Sequence, residues 1–141
     1  MQYTCEEGEE LDIDELMNYW IETAEQDYST MLHLYTSKDY HWSLFMGHLV
    51  IEKLLKGVYV KNKNSNIPRI HDLLRLAEKA EIKLTEDQKD DLDILTAFNI
   101  SARYPDYKKS FYAKCNYEYT TININKIREL RVWLLQIIKN P

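Results

Sequence analysis

Glycine and proline each occur only three times in 141 residues, and cysteine only twice. So little Gly and Pro excludes a turn-rich β architecture, and with Leu, Lys, Glu and Ile plentiful the composition predicts an all-α protein. Cys5 and Cys115 stand far apart in no metal-type spacing, which excludes a disulfide framework or zinc ribbon and leaves neither as a strong catalytic candidate. No apolar run approaches the ~18–20 residues of a membrane span, and the N-terminus lacks the basic-then-apolar order of a secretory signal. A soluble, cytoplasmic protein with no membrane partner is expected. There is no Gly-rich phosphate loop, no GxSxG-type nucleophile and no clustered set of metal ligands, so no cofactor or metal is predicted and the common enzyme classes gain no support.

What is present is 45% hydrophobic content, enough for one core without disulfides or metal. The charge is uneven. Of the net −5, seven negative charges and no positive ones fall in residues 1–15, which leaves +2 for the rest. Residues 1–11 are expected to form a flexible acidic arm, either a solvated, solubilising tail or a segment that covers a basic site or docks on a partner. Residues 12–141 are expected to form a single helical domain.

Along that domain, Asp12-Ile13-Asp14-Glu15 has the pattern of a capped helix start. Leu16, Met17, Trp20, Ala24, Tyr28, Met31 and Tyr35 follow Ile13 at the spacing of one apolar helix face, about six turns long. Ser37 is the expected N-cap of a second helix to about Lys61, antiparallel to the first and apolar over more than one face, hence central. A short third helix is predicted from His71 to about Ala80, and a fourth over 86–102 behind the capping-box pattern Thr85-Glu86-Asp87-Gln88. Pro105 ends it. Thr120 and Thr121 are the expected caps of a last helix whose apolar face holds Ile124, Ile127, Leu130, Leu134, Ile137 and Ile138. The predicted fold is an up-and-down four-helix bundle with an additional short helix, five helices in all.

Two groups of residues are candidates for function. At about 100° per residue, His41, His48, Glu52 and Lys56 fall in one strip of the second helix, with Tyr59 in line and Phe45 near it. A polar strip on a central helix is either a satisfied i,i+4 ladder, His48 to Glu52 and Glu52 to Lys56, or a wall facing a cleft or two-fold partner; as metal ligands His48 and Glu52 lack a convincing third. His71 reads as a capping or packing residue, with an acid-base catalyst as the alternative. The second group is residues 103–119, where Arg103, Lys108, Lys109 and Lys114 outweigh Asp106 and Glu118 and are interleaved with Tyr104, Tyr107, Phe111, Tyr112, Tyr117 and Tyr119. Lys and Arg neutralise phosphate and tyrosines stack on bases, so this composition suits a nucleotide or single strand. Equally, the tyrosines can pack the segment onto the bundle while Arg103 pairs with a carboxylate such as Asp106.

Phe45 followed by Ile51-Glu52-Lys53-Leu54-Leu55-Lys56, then Ile70-His71-Asp72-Leu73-Leu74, then Ala102-Arg103-Tyr104-Pro105-Asp106, resemble in order and spacing the HEPN family of small helical domains. The resemblance covers residues from about 13 to 139. It implies a bundle of four longer helices with a short extra one, commonly a homodimer. Some members are ribonuclease toxins of toxin-antitoxin pairs, some partner a minimal nucleotidyltransferase, and others are proposed nucleotide-binding or scaffolding modules. The ribonuclease members carry an Arg followed after four to six residues by His. Arg103 matches the Arg, but Lys108, Lys109 and Ser110 stand where the His would be, and no His follows His71. Lysine is a poor proton shuttle near neutrality, so the departure argues against a standard nuclease. The expectation is a non-catalytic or weakly active module that binds a nucleotide or RNA-like anion through Arg103, Tyr104, Lys108, Lys109 and Tyr112, with His48, Glu52 and Lys56 on the opposite wall, or that partners a nucleotidyltransferase. A ribonuclease built on Arg103 with His48 or His71, and a purely protein-binding scaffold, are the alternatives.

Overall fold

The computed structural model describes residues 12–140, so the acidic arm expected over residues 1–11 lies outside the described residues. Six α-helices follow in order: α1 (Ile13–Thr36), α2 (Tyr40–Asn62), α3 (Leu73–Lys79), α4 (Glu86–Ser101), α5 (Pro105–Lys114) and α6 (Tyr117–Lys139). There is no strand among the described residues. The all-α expectation holds, but the count of five helices is one short. Residues 105–114, read from the sequence only as a basic, aromatic segment after a helix break, are helical. Pro105 ends α4 and also starts α5: at the first helical position its fixed φ suits the helix and its missing N–H has no partner to lose.

Local capping sets the other boundaries. The Asp12 side chain accepts the Asp14 N–H at 2.9 Å, and Thr85 and Gln88 form the full reciprocal capping box at 3.1 and 2.9 Å. Ser37 does not cap α2. It closes α1, donating its N–H to the His33 carbonyl at 2.9 Å, after which Lys38 takes a left-handed φ of 67° and the chain reverses. Thr120 and Thr121 do not cap α6 either: Asn116 does, accepting the Tyr119 N–H at 2.8 Å. Thr120 is buried inside the helix. α3 begins two residues later than expected because Asp72 is its N-cap, accepting the Arg75 N–H at 3.1 Å.

α2 is the centre of the bundle, with α1, α6, α3, α4 and α5 all packed against it. Leu44, Ile51 and Leu55 of α2 are fully buried with Met31, Leu95, Ile127 and Leu134 from its neighbours. An apolar surface on most sides is what such enclosure requires. Ile13, placed by periodicity on the apolar face of α1, is instead 39% exposed at the first position of that helix. Across the bundle, the Arg131 fork grips Glu25 at 2.8 Å and lies 4.2 Å from the Tyr28 ring centroid, tying α6 to α1.

The tightest approach is at Gly47, where a Cβ would lie 2.2 Å from Ile127 Cδ1 and 3.3 Å from Met31 Sδ. At Gly57 the nearest atom is Ile138 Cδ1, at 3.2 Å. Gly→Ala in a helix gains about 1 kcal/mol of propensity, whereas overpacking a core costs about 1–3 kcal/mol. Gly47→Ala is therefore expected to lower the urea unfolding free energy, by roughly 1–2 kcal/mol, and Gly57→Ala to leave it nearly unchanged. Equal effects of the two substitutions would refute this packing account.

Candidate functional site

The polar strip of α2 faces two other parts of the chain. Glu52, only 4% exposed, accepts from His71 Nδ1 at 2.8 Å and from Lys56 Nζ at 3.3 Å, with His48 Nε2 at 3.8 Å. A buried carboxylate is tolerated when cations and donors meet both its oxygens, as here. His48 has no exposed surface. Its Nε2 lies 3.2 Å from the His71 carbonyl, which can only accept; Nε2 therefore carries the hydrogen and Nδ1 is left without a partner. Burial lowers the His48 pKa most, and the charges of His71 and Arg103 add to this while the carbonyl bond and Glu52 oppose it. The residue is held neutral. His71, by contrast, has a side chain 66% exposed, so that Glu52 fixes one ring nitrogen while the ring faces solvent. Of the expected ladder, the Glu52–Lys56 rung is made at 3.3 Å, whereas His48 bonds the His71 carbonyl rather than Glu52, and His71 joins the group as the other partner of Glu52.

Towards its N-terminus the same side of α2 meets α5. Arg103 Nε donates to the Asn99 carbonyl at 2.9 Å, and its guanidinium lies 5.9 Å from the Phe45 ring centroid and 5.5 Å from that of Tyr104. Lys108 Nζ stands 5.0 Å from the Trp42 ring centroid. Tyr112 meets His41 edge-to-face at 5.0 Å, and burial followed by the charge of Lys108 lowers the His41 pKa. At the other end of the strip Lys56 lies 5.0 Å from the Trp20 ring centroid. From Trp42 to Lys56 the strip runs about 21 Å along α2 and covers roughly 120° of arc.

Residues separated in the sequence reading therefore share one surface: Tyr104, Lys108 and Tyr112 follow i,i+4,i+8 spacing on α5, opposite the α2 strip. Lys109 lies on the exposed flank of α5, with no contact to the strip. Among the described residues Arg103, Lys108 and Lys109 have no carboxylate partner, and the suggested Arg103–Asp106 pair is not made. Sequence reading missed Trp42 and Trp20 as platforms for lysines and His71 as the partner of Glu52. It also missed α5, whose opening proline was read only as the end of α4. Burial pushes the Cys115 thiol up to about 12, so that cysteine is not a ready nucleophile. Among the described residues no group of three His, Cys, Asp or Glu side chains is arranged to hold a metal ion, and no helix is long and apolar enough to cross a membrane.

The sequence profile of the HEPN domain matches residues 17–137, nearly the whole chain. The chain belongs to the HEPN domain family. No curated protein and no solved structure gives a significant match. Within this HEPN domain, Glu52, His71 and Arg103 come from the three sequence motifs and converge around His48, the motifs being brought onto one side of α2 by the fold.

Two outcomes test this description. Glu52→Ala removes the shared partner of a buried network, yet Lys56 and His71 reach solvent, so the expected loss is about 2–3 kcal/mol rather than the ~3–5 kcal/mol of a fully enclosed pair. His71→Ala takes the donor from one oxygen of that carboxylate and should cost about 1–3 kcal/mol in the same urea titration. A second outcome concerns pH. The folded pKa of His48 is below its unfolded value of about 6.5. Its contribution is therefore complete above that pH and lost as pH falls towards the folded pKa. His48→Gln should flatten the acid limb of stability against pH by up to about 1.4 kcal/mol per pH unit. Parallel limbs for both proteins would rule out a buried neutral His48.

Proposed function

We propose that this HEPN domain is a non-catalytic module that binds a short RNA-like single strand or a nucleotide along the strip between α2 and α5. One observation carries the reading: Arg103 and Lys108 lie against aromatic rings and, among the described residues, are unpaired with any carboxylate. Unneutralised cations beside exposed tyrosines suit phosphate and base together. Arg103 offers a planar fork for phosphate and Lys108 and Lys109 add charge, while Tyr104, 50% exposed, and Tyr112, 66% exposed, offer stacking faces. Of the far part of the strip Lys56 supplies charge, while His48 and Glu52, both buried, hold its shape from beneath and do not meet the ligand. The length of about 21 Å favours a short strand over a mononucleotide. The resemblance extends the proposal to assembly as a homodimer and to a minimal nucleotidyltransferase as protein partner.

A specific observation favours a second reading, an RNA-cleaving site with Arg103 on phosphate and His71 as acid-base group. Glu52 holds His71 Nδ1 at 2.8 Å while the ring is exposed, the arrangement in which a carboxylate fixes the tautomer of a working imidazole. His48 is excluded from that role by its complete burial.

Fluorescence anisotropy with a labelled single-stranded RNA, read over a range of salt, tests the first reading. Arg103→Ala, Lys108→Ala and Lys109→Ala combined should weaken binding at least tenfold and reduce the salt slope by about 2, at roughly 0.7 per phosphate contact. Unchanged affinity and slope would sink it. Chelator-resistant RNA cleavage lost in both Arg103→Ala and His71→Ala would establish the second reading in its place.

A further inference from the structure

α4 and α6 each pack on α2 and meet one another through the Lys126–Asp91 pair and the Phe98 and Tyr119 rings, and the space left between them, roofed by α5, is a groove of about 570 Å³. That lies within the ~300–1,000 Å³ typical of sites for small organic molecules. Each helix lines it with residues at i, i+3, i+4 and i+7, counted from Ile94 on α4, Tyr107 on α5 and Tyr119 on α6. Such spacing turns one complete face of each helix onto the same void. In a closed bundle these faces would meet. Here Ile94 stays 37% exposed and Ile122 56% exposed on opposite sides of the groove.

The polar groups are few and unevenly placed. Lys114 Nζ stands 5.1 Å from the Tyr119 ring centroid and has no carboxylate partner among the described residues, whereas Lys126 is held by Asp91 at 3.5 Å. Asn123 is 2% exposed. Its Nδ2 donates to the Tyr119 carbonyl at 2.9 Å and its Oδ1 has no partner in the chain. A buried carboxamide oxygen without a donor is uncommon and costly. Asp106, the carboxylate in the lining, lies eight residues from Lys114, about 12 Å along α5. One end of the groove therefore offers a cation and an acceptor that needs a donor, between apolar and aromatic walls.

We propose that the α4–α5–α6 groove binds an aromatic acid. The planar body lies against Phe98, Phe111 and Ile122, the anionic group meets Lys114, and an N–H or O–H of the ligand donates to Asn123 Oδ1. This site is separate from the strip on α2, since Tyr107, Ser110, Phe111 and Lys114 lie on average roughly 110° around α5 from Tyr104, Lys108 and Tyr112.

The probe is 1-anilinonaphthalene-8-sulfonate, which combines a fused aromatic body, a sulfonate and one N–H, titrated by fluorescence into the purified full chain. Saturable one-to-one binding is expected. Ala97→Trp, at an exposed position of α4 that lines the groove, fills the space and should weaken binding at least tenfold. Lys114→Glu reverses the charge without touching the core and should weaken it about tenfold. Arg75→Ala, on the exposed side of α3, should change nothing, and near-UV circular dichroism confirms that each variant is folded. No saturable binding to the native chain, or equally tight binding to folded Lys114→Glu, overturns the proposal.

Discussion

A carboxylate buried in the middle of a helical bundle is costly, and the way Glu52 is compensated fixes much of what surrounds it. Its helix, α2, is packed on by all five others, so the charge has no route to bulk water except through its partners. Lys56 comes from the same helix and requires nothing of the rest of the chain. His71 comes from beyond the loop and must be brought in. Once there, its ring meets Glu52 while its carbonyl meets His48, so one residue satisfies two buried polar groups of α2. The next residue, Asp72, caps α3, and the N–H of Leu73 donates to Thr96 Oγ1 of α4 at 3.0 Å. The seating of α3 and α4 thus follows from neutralising one buried charge.

The seating of α4 in turn decides where its last turn points. Arg103 folds back on the Asn99 carbonyl and lies near Phe45 of α2. Pro105 then starts a new helix after only a short break, and α5 crosses the bundle with one face on the aromatic end of α2 and another over the groove between α4 and α6. Only Phe111 of this helix is fully enclosed, with a contact to Phe98 at 5.3 Å between ring centroids. A helix with so little buried apolar area owes its position to its neighbours more than to its own core contribution.

The four long helices were legible because burial writes a 3.6-residue period into the sequence, most clearly in α6, where Ile124, Ile127, Leu130, Leu134 and Ile138 are all buried. Caps were less legible. Ser37 and Thr120 have the chemistry of caps, but a cap is defined by backbone geometry, and in each case a neighbour, Lys38 with its positive φ or Asn116 with its reaching side chain, had already set the boundary. α5 was missed because its sequence is polar on most sides and opens with proline, so no hydrophobic period announces it. The strip of α2 was visible as a spacing, but its identity as a closed ladder depends on His71, nineteen residues away from Glu52, and only the fold brings the two together. That His48 is wholly enclosed and His71 open could not be read from two histidines in a row of letters.

The lysine that stands on α5 where the ribonuclease pattern has histidine acquires a physical meaning from these positions. Lys108, the first position at which the ribonuclease pattern expects histidine, extends over the face of Trp42, where a fixed positive charge is favoured by the ring and where a phosphate oxygen can approach the outer side of the ammonium. Lysine, unlike histidine, is a poor proton shuttle near neutrality. The exposed imidazole is instead that of His71, held at 2.8 Å by Glu52 of the helix that carries the rest of the strip. Lys108 over Trp42 and His71 against Glu52 thus meet α2 about 15 Å apart along its axis, whereas an Arg and a His four to six residues apart would lie within two turns of one another.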